Sequence, residues 1–139
     1  MSNILIIKHG SFGDIIQANG AIEDIKNFYK DSKVLLLTTS PYTELMSQCP
    51  YINGVIIDKR LPRWNLFYLS ALKKLLARYN FTHVFDLQNS SRTKFYRKYI
   101  AIFCNGNISN ICQSIFNFNP FNIYSQSQVW LNCVHNFIS

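Results

Sequence analysis

Apolar and polar positions follow two alternating rhythms along the first hundred residues. The run Ile4-Leu5-Ile6-Ile7 is short, β-branched and without a polar gap, so it predicts a strand buried on both faces. It breaks at Gly10-Ser11-Phe12-Gly13-Asp14, and helical spacing takes over: Ile15, Ala18, Ile22, Ile25 and Tyr29 make one stripe, with Glu23, Asp24, Lys26 and Asn27 opposite. Residues 33–39 predict a second buried strand. Ser40-Pro41 then predicts a short helix with Ser40 as N-cap and Pro41 at the first helical position, ending before Pro50.

Asn53-Gly54 predicts a turn into a third strand at 55–57. A basic, proline-containing loop over 58–63 follows, and then a helix over 66–79 with Leu66, Leu69, Leu72, Leu76 and Tyr79 on one face. Residues 82–86 predict a fourth strand, after which Ser90 or Ser91 caps a helix running to about residue 102. Strand and helix alternate throughout. The expected fold class is therefore α/β, a Rossmann-like parallel sheet with helices on both faces and right-handed crossovers.

Charge separates the rest of the chain from this pattern. All 14 Lys and Arg lie at or before Lys98 and all 7 acids at or before Asp86, while residues 99–139 hold 8 asparagines and no Lys, Arg, Asp or Glu. An ordinary domain surface scatters its charges. The sequence thus divides into a domain over 1–103 and an irregular, uncharged, poorly packed tail over 104–139. The net charge of +7 favours anionic partners. No signal-peptide pattern or run of about 20 apolar residues is present. Cys49, Cys104, Cys112 and Cys133 lack metal-type spacing and read as free cytosolic thiols.

In a parallel sheet, the loops after the strands share one edge, where ligands bind. That edge should gather Gly10, Ser11, Gly13 and Asp14 from the first loop, Lys59, Arg60 and Arg63 from the third, and Gln88, Ser90, Ser91 and Arg92 from the fourth. Gly10 and Gly13 would supply positive φ and room for a ligand to approach the backbone. One carboxylate among cations and hydroxyls suits deprotonation of a hydroxyl on an anionic substrate, with Asp14 as general base. Each residue also has a plainer reading. Asp14 suits a helix N-terminus electrostatically; the three loop cations suit a solvated loop; Arg92 suits the wet face of a helix. His9 reads as a hydrogen-bonded bystander and His83 as structural. The G-x-x-G spacing lacks a P-loop lysine, so a nucleotide-triphosphate site is poorly supported, and no nucleic-acid module is visible.

The opening Lys8-His9-Gly10-Ser11-Phe12-Gly13-Asp14 resembles the "K-x-G-x-x-G-D" loop that begins the bacterial lipopolysaccharide heptosyltransferases, glycosyltransferase family 9. The resemblance continues through Gln17-Ala18-Asn19-Gly20-Ala21-Ile22, Leu36-Leu37-Thr38-Thr39, Cys49-Pro50-Tyr51-Ile52-Asn53-Gly54-Val55-Ile56 and Phe85-Asp86-Leu87-Gln88-Asn89-Ser90-Ser91-Arg92-Thr93. It covers about the first 98 residues in order. It implies the N-terminal, acceptor-side half of a GT-B enzyme that performs inverting sugar transfer without a bound metal or other cofactor. The donor would be a nucleotide sugar of the ADP-heptose kind. The acceptor would be an anionic lipopolysaccharide-core glycolipid at the inner face of the inner membrane, reached from the cytoplasm.

On this resemblance Asp14 is the base. Gly10, Ser11, Gly13, Lys59, Arg60, Arg63, Gln88, Ser90 and Arg92 are the acceptor-side contacts, Arg92 resting on the motif and the three loop cations on position alone. The family's donor-binding domain would begin only after about residue 150. A truncated transferase, its reading frame disrupted near residues 99–106, would explain both the missing half and the uncharged tail. Such a chain would have little activity alone. The alternatives are a non-catalytic remnant or anionic-glycolipid-binding module and, more weakly, a nucleotide-binding regulator of the doubly wound type.

Overall fold

The computed structural model describes residues 2–88, 90–103 and 111–112. Among these residues, five strands form one parallel sheet: β1 (Asn3–Ile7), β2 (Lys33–Thr38), β3 (Gly54–Ile57), β4 (Phe81–Asp86) and β5 (Ile111–Cys112). Their order across the sheet is β3-β2-β1-β4-β5. Four α-helices connect them: α1 (Phe12–Phe28), α2 (Thr43–Ser47), α3 (Leu66–Ala77) and α4 (Ser91–Phe103). Apart from β5, which pairs Ile111 with Val84 and Cys112 with Phe85, the tail expected over 104–139 lies outside the described residues.

β1 and β2 bury both faces, as their unbroken apolar runs require. Ile4, Ile6, Val34 and Leu36 point to one side, where α1 packs Ile15, Ile22 and Ile25 and α2 packs Leu45 and Met46. Leu5, Ile7, Leu35 and Leu37 point to the other, where α3 packs Leu69, Leu72 and Leu76 and α4 packs Tyr96. The period-two alternation of a strand thus assigns the helices to two layers. In the sheet order, β1 and β4 are neighbours from which the chain departs in opposite directions. This is the topological switch point, and its carboxyl edge is where an open α/β sheet leaves a crevice.

Three local expectations are corrected. Ser40 is not a cap but the first residue of a 3-10 turn (Ser40–Tyr42) whose cap is Thr39; α2 starts only at Thr43. Pro41 fits that tight turn because it needs no amide donor there. Leu66 does not join the buried stripe of α3 and is 73% exposed, since the first turn of α3 precedes the part that lies on the sheet. Gly13 is an ordinary helical residue of α1, and only Gly10 among the described glycines has positive φ, at 65°.

Candidate functional site

Gly10 makes the first loop possible. At φ 65° it occupies backbone space that other residues enter with strain, and a Cβ there would lie 2.5 Å from Ile15 Cγ1. The turn releases Ser11 to precede α1 and places Gly13 and Asp14 in that helix's exposed first turn. Across the switch point, the Gly10 amide donates to Gln88 Oε1 at 3.0 Å, and the Gln88 amide donates to Asp86 Oδ1 at 3.0 Å. The loops after β1 and β4 are therefore fastened to each other, as the shared-edge expectation required.

Asp14 is solvent-exposed, with one oxygen anchored. Its Oδ2 accepts from the Ser11 amide at 3.2 Å and the Ser11 hydroxyl at 3.0 Å. These two hydrogen bonds, with the nearby Lys8 ammonium, hold its carboxyl below the usual carboxylate range. Lys8 is half-buried beneath the loop, donates from Nζ to the Leu87 carbonyl at 3.3 Å, and has its own pKa lowered by desolvation. Sequence reasoning passed over Lys8 as a site residue, although it opens the K-x-G-x-x-G-D run.

The larger omission is a buried polar knot behind the basic loop. His9 and Asp58 are 2% and 1% exposed, and His9 Nε2 lies 2.8 Å from Asp58 Oδ2. Asp58 Oδ1 also accepts from the Tyr68 hydroxyl, from the Arg60 amide at 2.8 Å and from the Tyr96 hydroxyl at 3.3 Å. Burial raises the Asp58 carboxyl's pKa, but the donors outweigh it and bring the value down to about 2. Burial and the same carboxylate push the Tyr96 phenol up to about 12, and raise Tyr68 as well. The one clue in the sequence was placement: His9 and Asp58 both stand just beyond strand ends at the same sheet edge.

This knot fixes where the predicted cations sit. Lys59 and Arg60 are exposed; the Lys59 amide donates to Tyr68 Oη at 3.0 Å, and Arg60 takes a left-handed φ of 52°. Arg63, also exposed, donates from Nη2 to Ser91 Oγ at 3.2 Å and lies over the Phe95 ring. Arg92 is half-buried, donating from Nε to the Tyr96 hydroxyl at 2.8 Å and from Nη2 to the Leu61 carbonyl. Ser90 accepts from the Thr93 amide at 3.2 Å, so it caps α4. The structure therefore joins Gly10 to Gln88, Arg63 to Ser91 at the start of α4, and Arg92 of α4 to the basic loop at Leu61. It gives Ser90 a capping role, and Arg92 a role holding the basic loop. Among the described residues, no cluster of His, Cys, Asp and Glu has the arrangement of a metal centre.

No protein-family model matches the sequence, and no curated protein matches it. Among solved structures, the chain is similar to a family 9 glycosyl transferase from Veillonella parvula, with a TM-score of 0.62 and 19% identity, covering 71% of this chain and 29% of that one. It is also similar to the E. coli ADP-heptose lps heptosyltransferase II, with a TM-score of 0.58, 18% identity and coverage of 74% and 28%. For the E. coli heptosyltransferase WaaC, solved with ADP, the TM-score is 0.52 at 20% identity, covering 66% and 29%. The chain spans under a third of the length of each. The resemblance read from the sequence is borne out in the fold: the chain is a Rossmann-like α/β unit whose fold is similar to part of a family 9 glycosyl transferase and of heptosyltransferase II.

Proposed function

We propose that this chain is the acceptor-side portion of an inverting glycosyltransferase of the heptosyltransferase kind, with Asp14 as its general base. The observation that carries the reading is the state of Asp14: exposed at the carboxyl edge of β1, and kept ionised by Ser11 and Lys8. A carboxylate with one anchored oxygen has its other oxygen available to a hydroxyl proton. In the step proposed, Asp14 takes that proton while the acceptor oxygen attacks the anomeric carbon of a nucleotide sugar. The sugar–phosphate bond breaks with inversion, and the nucleoside diphosphate leaves with the bonding electrons. Lys59, Arg60 and Arg63 supply positive charge for phosphates or carboxylates of an anionic glycolipid core.

The donor is proposed to be of the ADP-heptose type, since the structural neighbours include heptosyltransferase WaaC solved with ADP and with an ADP-fluoroheptose. Nucleotide sugar would be held mainly by the part of the enzyme not represented in this chain. Alignment of donor carbon with acceptor oxygen supplies much of the rate, so this portion alone should transfer little sugar. The reaction is proposed to take place at the cytoplasmic face of the inner membrane. Supplying a separately produced donor-side half of a family member tests the reading. Transfer to a lipopolysaccharide-core acceptor should appear with the wild-type chain and vanish with Asp14→Asn. A folded pair that transfers nothing would end it.

A second reading is favoured by the same hydrogen bonds. Asp14 sits where a carboxylate caps the helix through the Ser11 amide, a purely structural use. As a non-catalytic glycolipid-binding module, the chain would bind acceptor in a salt-sensitive way, with the same affinity after Asp14→Asn.

A further inference from the structure

The segment from Lys59 to Phe67 is unusual in what it turns outward. Trp64 is 83% exposed and Phe67 91%, with Leu61 and Leu66 exposed beside them. Large apolar side chains clustered on a surface mark a contact. Lys59, Arg60 and Arg63 alternate with them along the chain and are exposed as well. From residue 59 to 85 there are six cations (Lys59, Arg60, Arg63, Lys73, Lys74 and Arg78) and no acid. The nearest carboxylate, Asp58, is buried and engaged by His9 and Tyr68.

Part of this segment's backbone is hydrogen-bonded from inside. The Lys59 and Arg60 amides bond to Tyr68 and Asp58, the Leu61 carbonyl to Arg92, the Asn65 amide to the Pro62 carbonyl, and the Tyr68 amide to Asn65 Oδ1. Each group paired in this way can enter a poorly hydrated layer without being left stranded. Trp and Phe beside Lys and Arg match the chemistry of the headgroup–acyl boundary, where aromatic rings insert and cations meet lipid phosphates. The cores of protein interfaces are instead depleted in Lys.

From these observations we infer that residues 59–67 form a docking surface for an anionic phospholipid bilayer. Trp64, Leu66 and Phe67 enter the boundary layer, and Lys59, Arg60 and Arg63 contact phosphates. The surface lies beside the proposed acceptor edge, so docking would bring a membrane-held glycolipid to it, but the inference does not depend on Asp14 or on sugar transfer.

Flotation of the full 139-residue chain with phosphatidylglycerol–phosphatidylcholine vesicles tests it. The chain should float with these vesicles, less so as salt is raised, and should not float with phosphatidylcholine alone. The pair Trp64→Ser/Phe67→Ser should weaken partitioning by about tenfold or more. Phe28→Ser, at an equally exposed ring on the far end of α1 (81%), should change nothing. In a Trp130→Phe background, Trp64 emission should shift to the blue on binding. No flotation with anionic vesicles, or flotation indifferent to the Trp64/Phe67 pair, would overturn the inference. So would binding to soluble polyglutamate in place of vesicles, which would mark an acidic-protein site.

Discussion

His9 and Asp58 meet at 2.8 Å inside the carboxyl edge of the sheet, one just past β1 and the other just past β3. The strand between them joins in as well, because the Thr39 hydroxyl at the end of β2 donates to the His9 carbonyl at 3.2 Å. The loops after β1, β2 and β3, the first and third of which carry proposed acceptor contacts, are thereby tied to one buried polar cluster. The cluster is not chemistry exposed to substrate. It is the reason the basic loop has a shape.

Asp58 should therefore govern acid stability. Its carboxyl is at about 2 in the folded chain against an ordinary 3.8, so the folded state favours the ionised form. The contribution is present above pH 4 or so and is lost as pH falls toward 2. It amounts to something on the order of 2 kcal/mol. Asp58→Asn should lower stability at pH 7 by about 3 kcal/mol, because His9 and Tyr68 lose a charged acceptor, and should flatten the acid limb. Urea unfolding measured from pH 7 to 2 checks both; parallel limbs for wild type and variant would contradict the assignment.

The two glycines of the first loop should respond in opposite ways. Gly10→Ala places a methyl against buried Ile15 at a left-handed φ, and should cost roughly 2 kcal/mol or more. A Cβ at Gly13 meets nothing within 4 Å in a helical backbone, so Gly13→Ala should stabilise by about 0.5 kcal/mol. Thermal melts of the two variants decide this. If Gly13→Ala is stable yet binds acceptor poorly, the open space over the first turn of α1 is part of the binding surface.

Much of this architecture was legible in the sequence. Long one-sided stripes such as Leu69-Leu72-Leu76 and unbroken runs such as Ile4-Leu5-Ile6-Ile7 report burial directly, and alternation of the two predicts a parallel sheet with its loops on one edge. What stayed hidden depended on three-dimensional neighbours. Asp58 looked like the first residue of a basic loop, since nothing local reveals that His9, Tyr68 and Tyr96 converge on it. Arg92 looked like either a substrate contact or a wet helix face; in fact it bonds to Tyr96 and the Leu61 carbonyl. Gly13 resembled Gly10 in type, but only the turn at Gly10 needs a positive φ. Such roles are set by register and packing, which periodicity does not encode.

Arg92 should act as the clasp of the basic loop. Its guanidinium bonds to Tyr96 and Leu61 and lies 5.4 Å from the centre of the Tyr96 ring. Arg92→Ala should lower stability by about 1–2 kcal/mol. Arg92→Lys should restore little, because an ammonium cannot reproduce the two-armed contact. The specific readout is tryptic cleavage at Lys59, Arg60 and Arg63, which should quicken in both variants while cutting at Lys26 or Lys33 does not. Equal cleavage rates at all sites would mean that the loop holds its shape without Arg92.

Asp14 should reveal its role through pH. A general base must be ionised, so the rate falls as pH drops through its pKa, and hydrogen bonds from Ser11 with the charge of Lys8 place that pKa below the ordinary 3.8. In the enzyme reconstituted with a donor-side half, the acid limb assigned to Asp14 should lie below the usual carboxylate range. Ser11→Ala removes one donor to Oδ2, and Lys8→Met removes the nearby positive charge. Each should move that limb upward, whereas Asp14→Asn should cut the rate by about 10²–10⁴ at pH above the limb and remove the limb itself, while leaving the fold intact. An acid limb that ignores both Ser11→Ala and Lys8→Met would assign the proton to another group.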